Sequence, residues 1–149
     1  MFLLAKLCTL FSGSSGNSTY IGSSNDAGIL IDAGRTAKQL ENAMLANNID
    51  SSKVQAIFVT HEHSDHIKGI RVLASRYNIP VYSSMGTIKA MEEMNIFSGK
   101  FKYGVIDEKG MCVCGMCIQP FRTSHDSKES VGYKIKTQDD KTIVIAMDI

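Results

Sequence analysis

Three of the four histidines in this sequence lie within six residues, in the run His61-Glu-His63-Ser-Asp65-His66. Imidazole and carboxylate groups are the ligands that zinc and similar divalent metals prefer. His61, His63 and Asp65 are spaced two apart, whereas ligand pairs that share a helical face stand four apart. The spacing suits a loop leaving a strand end, with alternate residues directed toward different ions. A polar surface loop is the alternative, but this clustering favours a metal site.

The elements before this loop must place it at the edge of a sheet. Short apolar stretches separated by turn residues predict strands at 1–10, 18–21 and 28–31, joined as hairpins. The first stretch also resembles a secretory signal, but a lysine inside it and a Ser-Gly turn after it favour a strand. Thr36 followed by Gln39 predicts a capping-box start of a helix. Its apolar face is expected to carry Ala37, Leu40, Met44 and Leu45.

The elements around and after the loop predict an α/β layered fold. Residues 54–60 form a nearly continuous apolar run, typical of a strand buried on both faces. Helices are expected at 67–77 and 87–94, a short strand between them at 81–82, and further strands at 111–121, 131–136 and 142–147. Strands, then alternating helices and strands, then strands again describe stacked sheets and helices in one domain over 1–149.

Composition narrows the classes of function. The net charge is +1, without a block of lysine or arginine, so no broad nucleic-acid or anionic-membrane surface is indicated. No apolar stretch approaches the roughly 20 residues of a membrane-spanning helix, so no membrane partner is expected. Four cysteines without a recognisable export signal favour a reducing compartment, and we expect the cytoplasm.

Four motifs together resemble those of metallo-β-lactamase-fold hydrolases. They are the histidine run at 61–66, Asp32-Ala33-Gly34, Thr123-Ser124-His125-Asp126 and Ile145-Ala146-Met147-Asp148. The opening segment 10–18 and the Ser-His-Asp at 124–126 are similar to one branch, the YycJ-like (WalJ) exonucleases. The resemblance implies the αββα sandwich of that family, of which this chain would supply the N-terminal half and the strand before Asp148.

The resemblance also implies a role for each matching residue. His61, His63 and His125 would hold one metal, Asp65 and His66 the second, and Asp148 would bridge the two. Zinc is the first expectation, with manganese or iron as alternatives. Two such ions about 4 Å apart share a water whose pKa falls toward ~7, which provides a bridging hydroxide for hydrolysis. DNA or another phosphodiester is the expected substrate.

Four carboxylate and loop residues receive further roles. Asp65 is the expected catalytic group that orients the nucleophile or moves a proton. Asp32 is expected to lie behind the ligands and accept hydrogen bonds that fix their loop, or simply to cap a turn. Ser15 and Asn17, in the Ser-Gly loop at 12–18, are candidate substrate contacts, but a plain hairpin turn is as good an interpretation.

The cysteines at 112, 114 and 117 lack a fourth partner for a closed zinc site. On one continuous strand, Cys112 and Cys114 would share a face and Cys117 would take the other. We therefore expect three free thiols without a metal.

The chain departs from the family pattern at its C-terminus. Asp148 stands one residue before the end, and the four histidines leave no further histidine to complete the second metal site. This predicts a truncated product with an uncovered sheet face that binds metal poorly and turns over little by itself, and it makes a homodimer an expected partner state. Two other functions stay open: hydrolysis of a thioester, lactone or small phosphodiester on the same fold, and a non-catalytic metal-binding or dimerising fragment.

Overall fold

The chain folds into two packed sheets with helices on one side. The structure is a computed structural model that describes residues 6–22, 27–123 and 129–146. Its strands are β1 (Lys6–Phe11), β2 (Ser18–Gly22), β3 (Gly28–Ile31), β4 (Val54–Phe58), β5 (Val81–Ser83), β6 (Tyr103–Val105), β7 (Met111–Val113), β8 (Met116–Arg122), β9 (Val131–Lys136) and β10 (Thr142–Ile145). Its α-helices are α1 (Ala37–Ala46), α2 (Ser64–Ile67), α3 (Ile70–Tyr77) and α4 (Met85–Glu93), with 3-10 turns at Ser51–Lys53 and Ile96–Ser98. None of the helices in these ranges is long and apolar enough to cross a membrane.

The first sheet combines antiparallel and parallel pairing in the order β1-β2-β3-β4-β5-β6. Strands β1, β2 and β3 pair as antiparallel neighbours, which confirms the expected hairpins. From β3 onward the pairing is parallel, through β4 and β5 to β6. Parallel neighbours end at the same edge, so the loops after β3, β4 and β5 meet there.

The second sheet is antiparallel throughout, in the order β10-β9-β8-β7. One apolar core lies between the first sheet and the helices, with Leu30, Ile57 and Leu73 fully buried in it. A second core lies between the sheets and includes Phe58 and Tyr133. The layers formed by the described residues are therefore helix, sheet and sheet.

The capping box of α1 is present as predicted. The Thr36 hydroxyl accepts a hydrogen bond from the Gln39 backbone, and the Gln39 side chain accepts one from the Thr36 backbone. Ala37, Leu40 and Met44 are buried, but Leu45 is 75% exposed, so its assignment to the apolar face was wrong. Leu45 follows Met44 by one residue, and the 3.6-residue period turns it away from the core.

The helix predicted over 67–77 is divided at Gly69. Helix α2 ends at Ile67 and α3 begins at Ile70. Between them, the Gly69 N–H donates to the Ala33 carbonyl at 2.8 Å, and a Cβ on Gly69 would lie 2.2 Å from the Arg35 carbonyl. Only glycine permits this approach of the two backbones, so a tertiary contact interrupts the helical pattern.

The strand predicted over 111–121 is a hairpin, which overturns the cysteine prediction. Cys114 and Gly115 both have positive φ and form the two-residue turn between β7 and β8. The hairpin places Cys112 directly opposite Cys117, and these two residues form a disulfide. Cys8 and Cys114 carry free thiols.

Candidate metal centre

The candidate site lies where β3 and β4 end. Asp32 follows β3 and its N–H donates to the Phe58 carbonyl at the end of β4, 2.8 Å away. Thr60 and His61 follow β4 within three residues of that point. Because β3 and β4 run parallel, the aspartate and the histidine loop emerge side by side, as the sequence motifs predicted.

Three imidazoles converge at this edge. The His61 ring centroid is 4.7 Å from that of His63 and 4.0 Å from that of His66. His61 and His66 are buried, and His63 is half-buried. His61 and His63 lie in the loop after β4, while His66 lies in the short helix α2. The loop thus collects imidazoles that a helix of the same spacing would spread around its axis.

Asp32 anchors this arrangement from behind. Its Oδ1 accepts from the Thr60 N–H at 2.7 Å, and its Oδ2 accepts from the Thr60 hydroxyl at 2.8 Å. The same Oδ2 lies 2.6 Å from Nδ1 of His66. Complete burial raises the pKa of the Asp32 carboxyl, while His66 and the Thr60 hydrogen bonds oppose that rise. A carboxylate on Nδ1 fixes the imidazole orientation, and the role of Asp32 behind the ligands stays a prediction.

The other ring nitrogen of His66 faces Asp65 and Asn17. Its Nε2 lies 3.4 Å from Oδ2 of Asp65 and 3.3 Å from Nδ2 of Asn17. Asn17 Nδ2 also donates to Oδ2 of Asp65 at 3.1 Å, and the Asn17 N–H donates to the Asp65 carbonyl at 2.8 Å. These bonds hold the Ser-Gly loop against Asp65, on what we call the acidic side of the site.

Gly34 brings this loop and the histidine loop together. The Gly34 N–H donates to the Asn17 carbonyl at 2.9 Å, and a Cβ on Gly34 would lie 1.8 Å from the Asp65 carbonyl oxygen. No side chain fits in that gap. The Asp-Ala-Gly motif therefore supplies both the anchoring carboxylate and the close approach of the backbones.

The side-chain chemistry of these residues, imidazole and carboxylate, is that of divalent-metal ligands. Within the described ranges, no three His, Cys, Asp or Glu side chains are grouped so as to hold one ion. The described candidates instead contact one another in sequence: the His61 ring lies beside those of His63 and His66, and His66 lies beside Asp65. The remaining predicted ligands, His125 and Asp148, lie outside the described residues.

The fold and motifs agree with comparisons to known proteins. Residues 12–94 match the model of the metallo-beta-lactamase superfamily. The chain belongs to that superfamily. It is 38% identical over 139 residues to Exodeoxyribonuclease YycJ of Bacillus anthracis, an alignment that covers 91% of this chain and 52% of that protein. It is 36% identical over 156 residues to Exodeoxyribonuclease WalJ of Streptococcus pneumoniae, covering 96% of this chain and 54% of that protein.

The chain spans about half the length of the curated relatives it matches. A metallo-beta-lactamase from Cronobacter sakazakii superposes with a TM-score of 0.76 over 94% of this chain and 60% of that one, at 19% identity. At that identity the structural match supports the shared fold alone, and it confirms the predicted α/β class.

Two residues that contact the candidate site residues were not singled out in the sequence. The Thr60 hydroxyl contacts Asp32 and lies 3.0 Å from Nδ1 of His61 and 3.3 Å from Nδ1 of His66. Arg35 follows the Asp-Ala-Gly motif and contacts Ser15. The signal available for both was position alone, since each directly adjoins a motif.

Proposed function

We propose that this chain carries the metal-binding half of a dinuclear hydrolase that cleaves DNA phosphodiester bonds as an exonuclease. The observation that carries the proposal is the convergence of His61, His63 and His66 at the edge where β3 and β4 end. Similarity to exodeoxyribonucleases over nearly the whole chain favours DNA among the possible substrates. The cytoplasm stays the predicted location.

The proposed ligands divide between two ions. His61 and His63 would hold the first together with His125, and Asp65 and His66 would hold the second, with Asp148 shared. Zinc is the first candidate, and manganese or iron are alternatives, because imidazole and carboxylate sites accept all three. When bound, a pair of divalent ions supplies an activated water and stabilises the charge that develops on the phosphate.

The chain's own residues hold this site in shape. Asp32 and Thr60 fix the His66 ring through Nδ1, so that Nε2 faces the acidic side of the site. Asp65 is the proposed catalytic group that orients the attacking water and accepts its proton. Its Oδ2 is positioned for this by the hydrogen bond from Asn17.

The two proposed substrate residues differ in exposure. Ser15 is exposed at the tip of the Ser-Gly loop, where a substrate can reach it. Asn17 is buried, and its side chain bonds Gly13 and Asp65. This surrounding favours a positioning role for Asn17, while a direct substrate contact by Asn17 stays a prediction.

Metal binding and hydrolysis test the proposal in two steps. We expect the purified chain to bind Zn²⁺ or Mn²⁺, and His61→Ala to weaken that binding more than tenfold because a direct ligand is lost. The metal-loaded chain is then given end-labelled duplex DNA, bis-p-nitrophenyl phosphate and a generic ester. Slow metal-dependent shortening of the DNA, abolished in Asp65→Asn, is the expected result, since the chain spans about half the length of its relatives.

Lys102→Ala is the matched control, because Lys102 precedes β6 at the opposite end of the parallel strands from the site. It should bind metal and act on DNA as the unchanged chain does. Failure to bind metal overturns the metal centre. Hydrolysis of the ester without any cleavage of DNA replaces the exonuclease with a thioester or lactone hydrolase on the same fold.

One observation favours a second candidate, a metal-binding fragment that pairs with another copy. The face of the second sheet that points away from the first is exposed, with Phe121, Lys134 and Val144 on it. Light scattering over a range of concentrations decides this: a mass that doubles with concentration, in a chain inactive on every substrate, supports a dimerising fragment.

A further inference from the structure

Arg35 is a cation held beside the candidate metal centre with no role in the metal ligation. It directly follows Gly34, whose N–H bonds Asn17 and whose Cα packs against the Asp65 carbonyl. The Arg35 carbonyl in turn touches Gly69, just after α2. The backbone of Arg35 is therefore fixed between the Ser-Gly loop and the helix that carries Asp65.

The guanidinium of Arg35 is fixed as well. Its Nη1 donates to the Ser15 hydroxyl and its Nε donates to Oε1 of Gln39, each at 3.3 Å. Its Cζ lies 4.5 Å from the centroid of the Phe11 ring, which supports the planar group from one side. Gln39 is itself held by the capping box of α1, so a fixed neighbour holds the arginine side chain in place.

Among the described residues, the partners of Arg35 supply no counter-ion for its positive charge. A hydroxyl, an amide oxygen and an aromatic ring are the groups that contact the guanidinium within the described part of the chain, and none carries negative charge. Donors remain on both terminal nitrogens, since a guanidinium has five N–H groups. A half-buried, pre-oriented and uncompensated guanidinium is suited to two parallel hydrogen bonds with a phosphate.

The neighbouring loop adds a second donor at the same place. Ser15 lies at the exposed tip of the Ser-Gly loop, and Asn17, two residues on, contacts Asp65 and His66. The loop that carries Ser15 therefore also contacts the proposed ligands of the second metal, Asp65 and His66, through Asn17. A donor pair at a loop that is bonded to those ligands suits a phosphate next to the one being cleaved.

We infer that Arg35 and the Ser15 hydroxyl bind a backbone phosphate adjacent to the scissile phosphodiester of a nucleic-acid strand. The inference rests on the proposed function and adds a subsite to it. Arg35 would supply charge and a bidentate fork, while Ser15 would supply one neutral hydrogen bond. The subsite reads the strand backbone and is indifferent to base sequence.

Binding of a fluorescein-labelled DNA oligonucleotide with phosphorothioate linkages, read by anisotropy at several KCl concentrations, tests this. The metal-loaded chain is compared with Arg35→Ala, Arg35→Lys, Ser15→Ala and the control Lys102→Ala. We expect Arg35→Ala to weaken binding about tenfold at low salt and to reduce the slope of log K against log[KCl] by about 0.7–0.9. Arg35→Lys should keep the slope but lose affinity, because it keeps the charge without the fork.

Ser15→Ala should lower affinity a few-fold without changing the slope, since no charge is removed. Bound metal and the thermal melt, measured for each variant, separate loss of the subsite from loss of structure. If Arg35→Ala binds DNA as the unchanged chain does, the subsite is wrong and the proposed nuclease stands. If the unchanged, metal-loaded chain does not bind DNA, the nuclease and its subsite are both overturned.

Discussion

The polar side chains of the two sheets differ in burial. At the carboxyl edge of the first sheet, Asp32, Thr60 and His66 are buried and bonded to one another. On the outer face of the second sheet, Lys134 and Lys136 are exposed, beside the exposed Val144. The polar atoms at the edge of the first sheet are buried and hydrogen-bond one another, whereas the two lysines on the outer face are exposed to solvent.

The difference in burial distinguishes the candidate site from the solvent-exposed face of the second sheet. Burial makes an unpaired polar atom costly, so the network around Asp32 tolerates a single arrangement of the histidine loop. Exposed lysines are solvated in any arrangement and specify little. Substitutions matched in chemistry but placed in the two kinds of environment should therefore differ sharply in cost.

Asp32→Ala should have the largest effect. It removes the acceptor for the Thr60 N–H, the Thr60 hydroxyl and the His66 ring, all in a buried setting. Removing one partner of such a buried network costs about 3–5 kcal/mol of unfolding free energy. Urea denaturation measures it, and metal affinity should fall in the same variant because the His66 ring loses its orientation.

Asp50→Ala is the matched exposed control. Asp50 also accepts two hydrogen bonds, from the N–H and the hydroxyl of Ser52, and these hold the pKa of its carboxyl below the ordinary value. Its bonds are made in water, so we expect a far smaller loss of stability than in Asp32→Ala. Equal losses in the two variants would show that burial does not govern the cost.

A second matched pair lies on neighbouring strands of the second sheet. Ile135 on β9 is 0% exposed and packs between the sheets, whereas Val144 on β10 is 58% exposed. Ile135→Ala should cost about 2–5 kcal/mol through lost burial and a cavity. Val144→Ala should change stability by no more than about 0.5 kcal/mol. Thermal melts of both variants measure the contrast, and a large loss in Val144→Ala would mean that something covers the outer face in solution.

The sequence predicted the parts of the molecule that local pattern controls. The histidine loop after a buried strand and the capping box at Thr36 each depend on residue types at short spacing, and both are present in the structure. Asp32 lies beside that loop and bonds Thr60, while its role there stays a prediction. The ligand roles of His125 and Asp148 stay predictions, since both residues lie outside the described ranges.

The errors arose where a distant contact overrides a local pattern. Gly69 reads as a tolerated residue inside a helix, but its backbone is required by Ala33 and Arg35. The turn at Cys114 and Gly115 lacks the usual Asn-Gly signal, so two short strands were taken for one. Strand β6 was missed because it has only three residues and is defined by its pairing with β5.

The smallest difference in stability that we predict between paired variants concerns two tyrosines. The Tyr133 hydroxyl donates to the Val59 carbonyl at 2.6 Å in the core between the sheets, and burial raises the pKa of that hydroxyl. Ser83 also donates to the Val59 carbonyl at 2.6 Å, so Tyr133→Phe leaves that oxygen satisfied. We therefore expect a loss of only about 1 kcal/mol in chemical denaturation, the net value of one hydrogen bond.

Tyr103→Phe is the corresponding surface change. The Tyr103 hydroxyl donates to the Glu92 carboxylate at the surface. In the phenylalanine variant, water can hydrogen-bond Glu92 in place of that hydroxyl. No measurable loss of stability is expected there. If Ser83→Ala is added to Tyr133→Phe, the Val59 carbonyl loses both donors, and the double variant should lose more than the sum of the single ones. Simple additivity would contradict the interpretation that the two hydroxyls share one buried acceptor.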